Sequence, residues 1–108
     1  MNKNWVLGGL LCVSMSVSAY NGNDLYRWGK DYQEPSGTFS SGMYSGYITG
    51  ISDAFIGTAF CAPDGTTNGQ LYDIVFNYLK ENPARRTDDA GVIVLRSLSD
   101  AYPCKGKQ

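Results

Sequence analysis

The stretch SSGMYSGYITGISDAFIG, residues 40–57, places glycine at 42, 46 and 50 and alanine at 54. At the helical step of about 100° per residue its side chains sort into three faces. Met43, Tyr47, Ile51 and Phe55, joined by Tyr44 and Ile48, form a broad apolar face. Gly42, Gly46, Gly50 and Ala54 form a small-residue groove beside it, and Ser45, Thr49, Ser52 and Asp53 are polar. This order predicts a helix although each interior glycine costs about 1 kcal/mol relative to alanine. Close approach of another helix along the groove would offset that cost, because small residues let backbones gain dispersion contacts. The expected partner is another helix of this chain, with a helix of a second chain as the alternative.

Downstream, Ala62-Pro63-Asp64-Gly65 has the residue order of a type I turn, and Thr67-Asn68-Gly69-Gln70 fits a capping box. Leu71, Ile74, Val75, Tyr78 and Leu79 then repeat at amphipathic helical spacing until Asn82-Pro83. A polar connection leads to Asp88-Asp89, acidic residues suited to the positive end of a final helix with apolar positions Val92, Leu95, Leu98 and Tyr102. The β-branched run Gly91-Val92-Ile93-Val94-Leu95 would suit a strand, but Arg96-Ser97-Leu98-Ser99 does not continue an alternation. Upstream of the opening stretch, Asn23 can cap a first helix carrying Leu25, Trp28 and Tyr32, stopped by Pro35-Ser36-Gly37. The expected fold is all-α, a bundle of about four helices.

Residues 1–19 read as a signal peptide, with Lys3, the apolar run WVLGGLLCV and Val17-Ser18-Ala19 ahead of Tyr20. The apolar run is too short to cross a bilayer. Export with cleavage after Ala19 leaves residues 20–108 as a single domain without a membrane segment. Cys61 and Cys104 then remain, and two cysteines in an oxidising compartment form one disulfide. Closing the chain between them stabilises by about 4 kcal/mol in the chain-entropy account.

Residues 20–108 carry eight basic and ten acidic side chains, scattered without a patch for nucleic acid or an anionic membrane. The chain has no histidine, which excludes serine triads and histidine-assisted cysteine catalysis and removes the usual nitrogen ligand of zinc. Asp53, Asp64, Asp73 and Asp100 show no paired-carboxylate spacing, and no phosphate or calcium loop occurs. An enzyme, a metal and a cofactor are not expected, which leaves a small exported binding protein. Eight tyrosines among thirteen aromatics in residues 20–108 suit either an interface or a core.

The ordered landmarks Gly22-Asn23-Asp24-Leu25, Gly46-Tyr47-Ile48 with Gly50, Phe60-Cys61-Ala62-Pro63 with Gly65-Thr66 and Gln70, Tyr78-Leu79 with Asn82-Pro83, and Ala101-Tyr102-Pro103-Cys104 resemble the Rap/Tai family of type VI secretion immunity proteins. The resemblance implies a periplasmic, mainly helical protein, often a homodimer, that sterically blocks a secreted amidase effector cutting peptidoglycan stem peptides. Family members often carry two further cysteines, and the matching positions here are Gly29 and Tyr44. The resemblance does not place the toxin contact. A protruding polar segment with braced ends would serve, which points to residues 82–89 with Arg85, Arg86, Asp88 and Asp89, and secondly to the turn at Asp64. An ordinary solvated loop fits residues 82–89 equally well. A periplasmic chaperone or envelope stress protein is the alternative function.

Overall fold

The computed structural model describes residues 20–34 and 37–105. The expected signal peptide and the Pro35-Ser36 part of the first helix stop lie outside them. The fold is all-α: α1 spans Gly22–Tyr32, α2 Phe39–Phe55, α3 Asn68–Glu81 and α4 Ala90–Ala101, with a 3-10 turn at Pro83–Arg85. Among the described residues extended pairing is confined to two isolated bridges, Asn21 with Asp89 and Ile56 with Phe60.

Three helices start with reciprocal capping. Thr67 and Gln70 form the expected box at α3. At α1 the cap is Asn21 rather than Asn23. The Asn21 Oδ1 accepts from the Asp24 amide at 3.1 Å, while the Asp24 carboxylate accepts from the Asn21 amide at 3.1 Å. The shift of two residues arises because only Asn21 has an acidic residue three positions later to close the box. Thr38 and Ser41 cap α2 in the same manner.

The core is built from Leu25 and Trp28 of α1, Tyr44 and Ile48 of α2, Leu71, Val75 and Leu79 of α3, and Ala90, Ile93, Val94 and Leu98 of α4. Phe60, in the link between α2 and α3, is also fully buried. Each large apolar side chain so buried contributes about 1.5–3 kcal/mol. In α4 the buried face runs Ala90, Ile93, Val94, Ser97 and Leu98: Leu98 is buried as expected, whereas Leu95 is half-buried and Val92 is left 45% exposed. In α2 the buried stripe is Tyr44, Ile48 and Ser52, so Ser52 leaves its expected polar face and Phe55 reaches the surface.

That stripe turns the small-residue groove outward. Gly42, Gly46, Gly50 and Ala54 are exposed, and a Cβ placed on any of the three glycines would meet nothing within 4 Å. The internal helix contact expected for them is therefore not found among the described residues. Close approach occurs at other glycines. A Cβ on Gly22 would lie 2.7 Å from the Arg86 carbonyl oxygen and 2.8 Å from the Arg86 Cα, and would also strike the Ile93 side chain. One on Gly29 would lie 2.6 Å from Phe76 Cδ1 and 3.0 Å from Tyr44 Cε1. Positions 29 and 44, where the resemblance places a further cysteine pair, thus lie close together, with the Phe76 and Tyr44 rings filling the space over Gly29. The Tyr44 hydroxyl donates to the Tyr72 carbonyl at 2.6 Å. Burial, reinforced by the Asp73 charge, pushes its pKa well up.

Cys61 and Cys104 form the expected disulfide, with Cα atoms 4.8 Å apart, and the Cys61 amide donates to the Tyr102 carbonyl at 2.8 Å. The link after α2 is thereby fastened to the end of α4. The turn that follows is Pro63–Thr66, one residue later than expected. The Thr66 amide closes it on the Pro63 carbonyl at 3.1 Å, and Gly65 takes a φ of +91°. A positive φ at the third turn position is the type II requirement that glycine meets without strain.

Candidate functional site

Residues 82–89 leave α3 at Asn82, whose side-chain amide donates to the Tyr78 carbonyl at 2.9 Å. The 3-10 turn then carries the chain across the start of α1. The Gly22 amide donates to the Asp88 carbonyl at 2.9 Å, the Asn23 amide to the Arg86 carbonyl at 2.8 Å, and the Ala90 amide to the Tyr20 carbonyl at 3.0 Å. These bonds use two of the helix-start donors of α1 that have no partner within the helix. The connection is braced along its length, as a rigid contact segment requires.

The four charged residues expected to serve together divide into different roles. Arg86 folds inward: its Nε donates to the Leu79 carbonyl at 2.8 Å and its Nη2 to the Lys80 carbonyl at 3.4 Å. Its guanidinium carbon lies 3.7 Å from the centroid of the Tyr26 ring. Arg86 thus caps the carbonyl end of α3 and clamps that end to α1, which gives it a structural role. Arg85 and Asp88 pair across the turn at 3.0 Å with side chains 49% and 31% exposed, an exchange worth about 0–1 kcal/mol at such exposure. Asp89 stands at the N-terminal boundary of α4. Its charge is the second cause, after burial, of the raised pKa of the Tyr47 hydroxyl, with Tyr20 third and a backbone hydrogen bond from Gly91 acting oppositely.

Arg85, Thr87, Asp88 and Asp89 line a hollow of about 430 Å³ with Val92 and Arg96. Val92 and Arg96 also line an adjoining hollow of about 320 Å³ with Ala59, Leu95 and Ser99. Together these make an open trough along the outer side of α4, with the exposed Val92 between two arginines. Sequence reasoning placed Val92 on the apolar face of the last helix and passed over Arg96. Their i, i+4 spacing would have marked them as one outward face once Ala90 was taken as the first core position. Asp64 is not part of this group and lines a separate pocket beside Ser52 and Leu71. Among the described residues no group of three or more histidine, cysteine or acidic side chains could hold a metal ion. The trough offers apolar area rimmed by charge, a composition suited to protein contact.

Fold and trough together define a small, disulfide-clasped helical binding protein. The family model for Rap1a immunity proteins matches residues 21–104, and the chain belongs to that family. It is an immunity protein directed against a secreted toxin. No curated protein matches the chain.

Proposed function

We propose that the chain is a periplasmic immunity protein that binds and sterically occludes a type VI secreted peptidoglycan amidase, with no catalysis of its own. Cleavage after Ala19 delivers it to the periplasm, where the Cys61–Cys104 bridge forms, and self-association belongs to the same reading. The observation that supports this most is the braced segment 82–89 opening onto the α4 trough. Exposed Val92 supplies an apolar anchor there, and Arg85 and Arg96 supply charge-assisted donors. A surface whose backbone is already fixed loses little ordering entropy when a partner docks.

The test pairs the purified protein with secreted peptidoglycan amidases of its own producer, using calorimetry and inhibition of muropeptide cleavage. Val92→Asp combined with Arg96→Glu is expected to abolish inhibition while leaving the melting temperature unchanged within a few degrees. Full inhibition by that variant would remove the trough from the assignment, and no association with any amidase would remove the function. Mass spectrometry of a periplasmic extract is expected to find a chain beginning at Tyr20.

A further inference from the structure

α1, α2 and α3 each close a reciprocal capping box at their start, whereas α4 has no such device. Its N-cap residue, Asp89, makes no side-chain capping hydrogen bond, although the first four amides of any helix lack a partner inside it. The first of these amides is satisfied from the other end of the described chain: Ala90 donates to the Tyr20 carbonyl at 3.0 Å. The second lies under a side chain of α2. A Cβ on Gly91 would stand 3.6 Å from the Tyr47 hydroxyl, which takes a backbone hydrogen bond from Gly91.

Tyr20 is itself held in place. Its ring meets the Trp28 ring edge-on with centroids 4.8 Å apart and the Tyr47 ring at 6.1 Å, and the Trp28 and Tyr47 rings lie 6.0 Å from each other. Asn21 bridges Asp89 in antiparallel fashion, and the Gly22 and Asn23 amides donate to the Asp88 and Arg86 carbonyls. Residues 20–23 and 86–90 therefore form a short zipper whose outermost rung is the Tyr20 carbonyl. An end rung opens readily unless its own side chain is packed, and the Tyr20 ring supplies that packing. The same part of the chain carries the trough: Asp88 and Asp89 lead into the first turn of α4, Val92 stands in it, and Arg96 follows one turn on.

We propose that Tyr20 is a positioning residue for the trough. Its carbonyl caps α4, and its ring, seated on Trp28 and Tyr47, keeps that carbonyl in place, so the order of the docking surface is set from residue 20. That this surface receives a toxin rests on the immunity reading; the ordering of the surface does not.

The experiment therefore needs no toxin. Amide hydrogen exchange and chemical shifts are followed by nuclear magnetic resonance in wild type, Tyr20→Gly and Tyr20→Phe. Tyr20→Gly removes the ring and frees the backbone, so the Ala90 and Gly91 amides are expected to exchange at least about 10-fold faster through local opening, while those of Ile48 and Val75 change by less than about 3-fold. Resonances of Val92 and Arg96 are expected to shift in the same variant. Tyr20→Phe keeps ring and carbonyl and is expected to match wild type in every readout. Unchanged exchange at Ala90, or unmoved Val92 and Arg96 resonances, would overturn the proposal. So would an equal loss of protection at Ile48 and Val75, which would make Tyr20 a general stability element, or a Tyr20→Phe variant that behaves like Tyr20→Gly. A wild-type protein that shows the local effect but binds no amidase would indict only the toxin assignment, so the two failures are distinguishable.

Discussion

Gly22→Ala places one methyl group where the structure has no room for it. The added Cβ would sit 2.7 Å from the Arg86 carbonyl oxygen and 2.8 Å from its Cα, and backbone atoms cannot rotate aside as a side-chain tip can. The start of α1 and residues 82–89 must move apart. Doing so stretches the bonds from the Gly22 amide to Asp88 and from the Asn23 amide to Arg86, now 2.9 and 2.8 Å. Losing two such bonds costs about 1–3 kcal/mol, and overpacking adds about 1–3 kcal/mol. Replacing glycine returns less than about 1 kcal/mol. The net destabilisation is about 1–5 kcal/mol, which at about 4–8 °C per kcal/mol for a domain of this size lowers the melting temperature by more than about 4 °C. Urea denaturation followed by circular dichroism measures it, with toxin affinity in parallel. A variant within about 0.5 kcal/mol of wild type would refute the close-approach argument, because it would show that the two segments separate at no cost.

The outward glycines predict the opposite sign. Gly46→Ala meets empty space and should stabilise the monomer by about 0.5–1 kcal/mol, read as a raised urea midpoint. Arg86→Ala should cost about 2–4 kcal/mol through two lost carbonyl bonds and the contact with Tyr26, whereas Arg85→Ala should change stability by less than about 1 kcal/mol; equal effects in the two melting curves would contradict the division of roles. Reducing the Cys61–Cys104 bridge, or replacing both residues with serine, should lower unfolding free energy by about 4 kcal/mol, seen as a midpoint shift between oxidised and reduced samples.

The helices were readable in the sequence to the extent that one face was apolar and its ends were punctuated. α3 met both conditions, and its cap, buried face and stop fall where Thr67, Leu71 and Pro83 place them. In α4 the continuous run Val92-Ile93-Val94-Leu95 gives no polar gap from which to choose a face, and the deciding core position is Ala90, too small to be conspicuous. The glycine row in α2 was legible as a stripe, but the side of the helix it occupies depends on whether Ser52 is inside, and a serine alone gives no reason to expect that. The structural engagement of Arg86 was not legible because its partners are backbone carbonyls and a tyrosine face from another helix, none of which is visible in the local pattern. The trough was half legible for the same reason: Arg85 and Asp88 were named, while Val92 and Arg96 join them only through the packing of α4.

The hydrogen bond from Ala90 to Tyr20 and the bridge between Asn21 and Asp89 bring the beginning of the described chain to the rim of the trough. Anything fused ahead of residue 20, whether an epitope label, a reporter domain or a linker, would emerge beside the docking surface proposed above and crowd a partner that used it. The other end of the polypeptide offers no simple escape, because the Cys104 Sγ lies 3.8 Å from the Thr58 carbonyl, next to Ala59 of the trough lining, so a label at either end is best made cleavable.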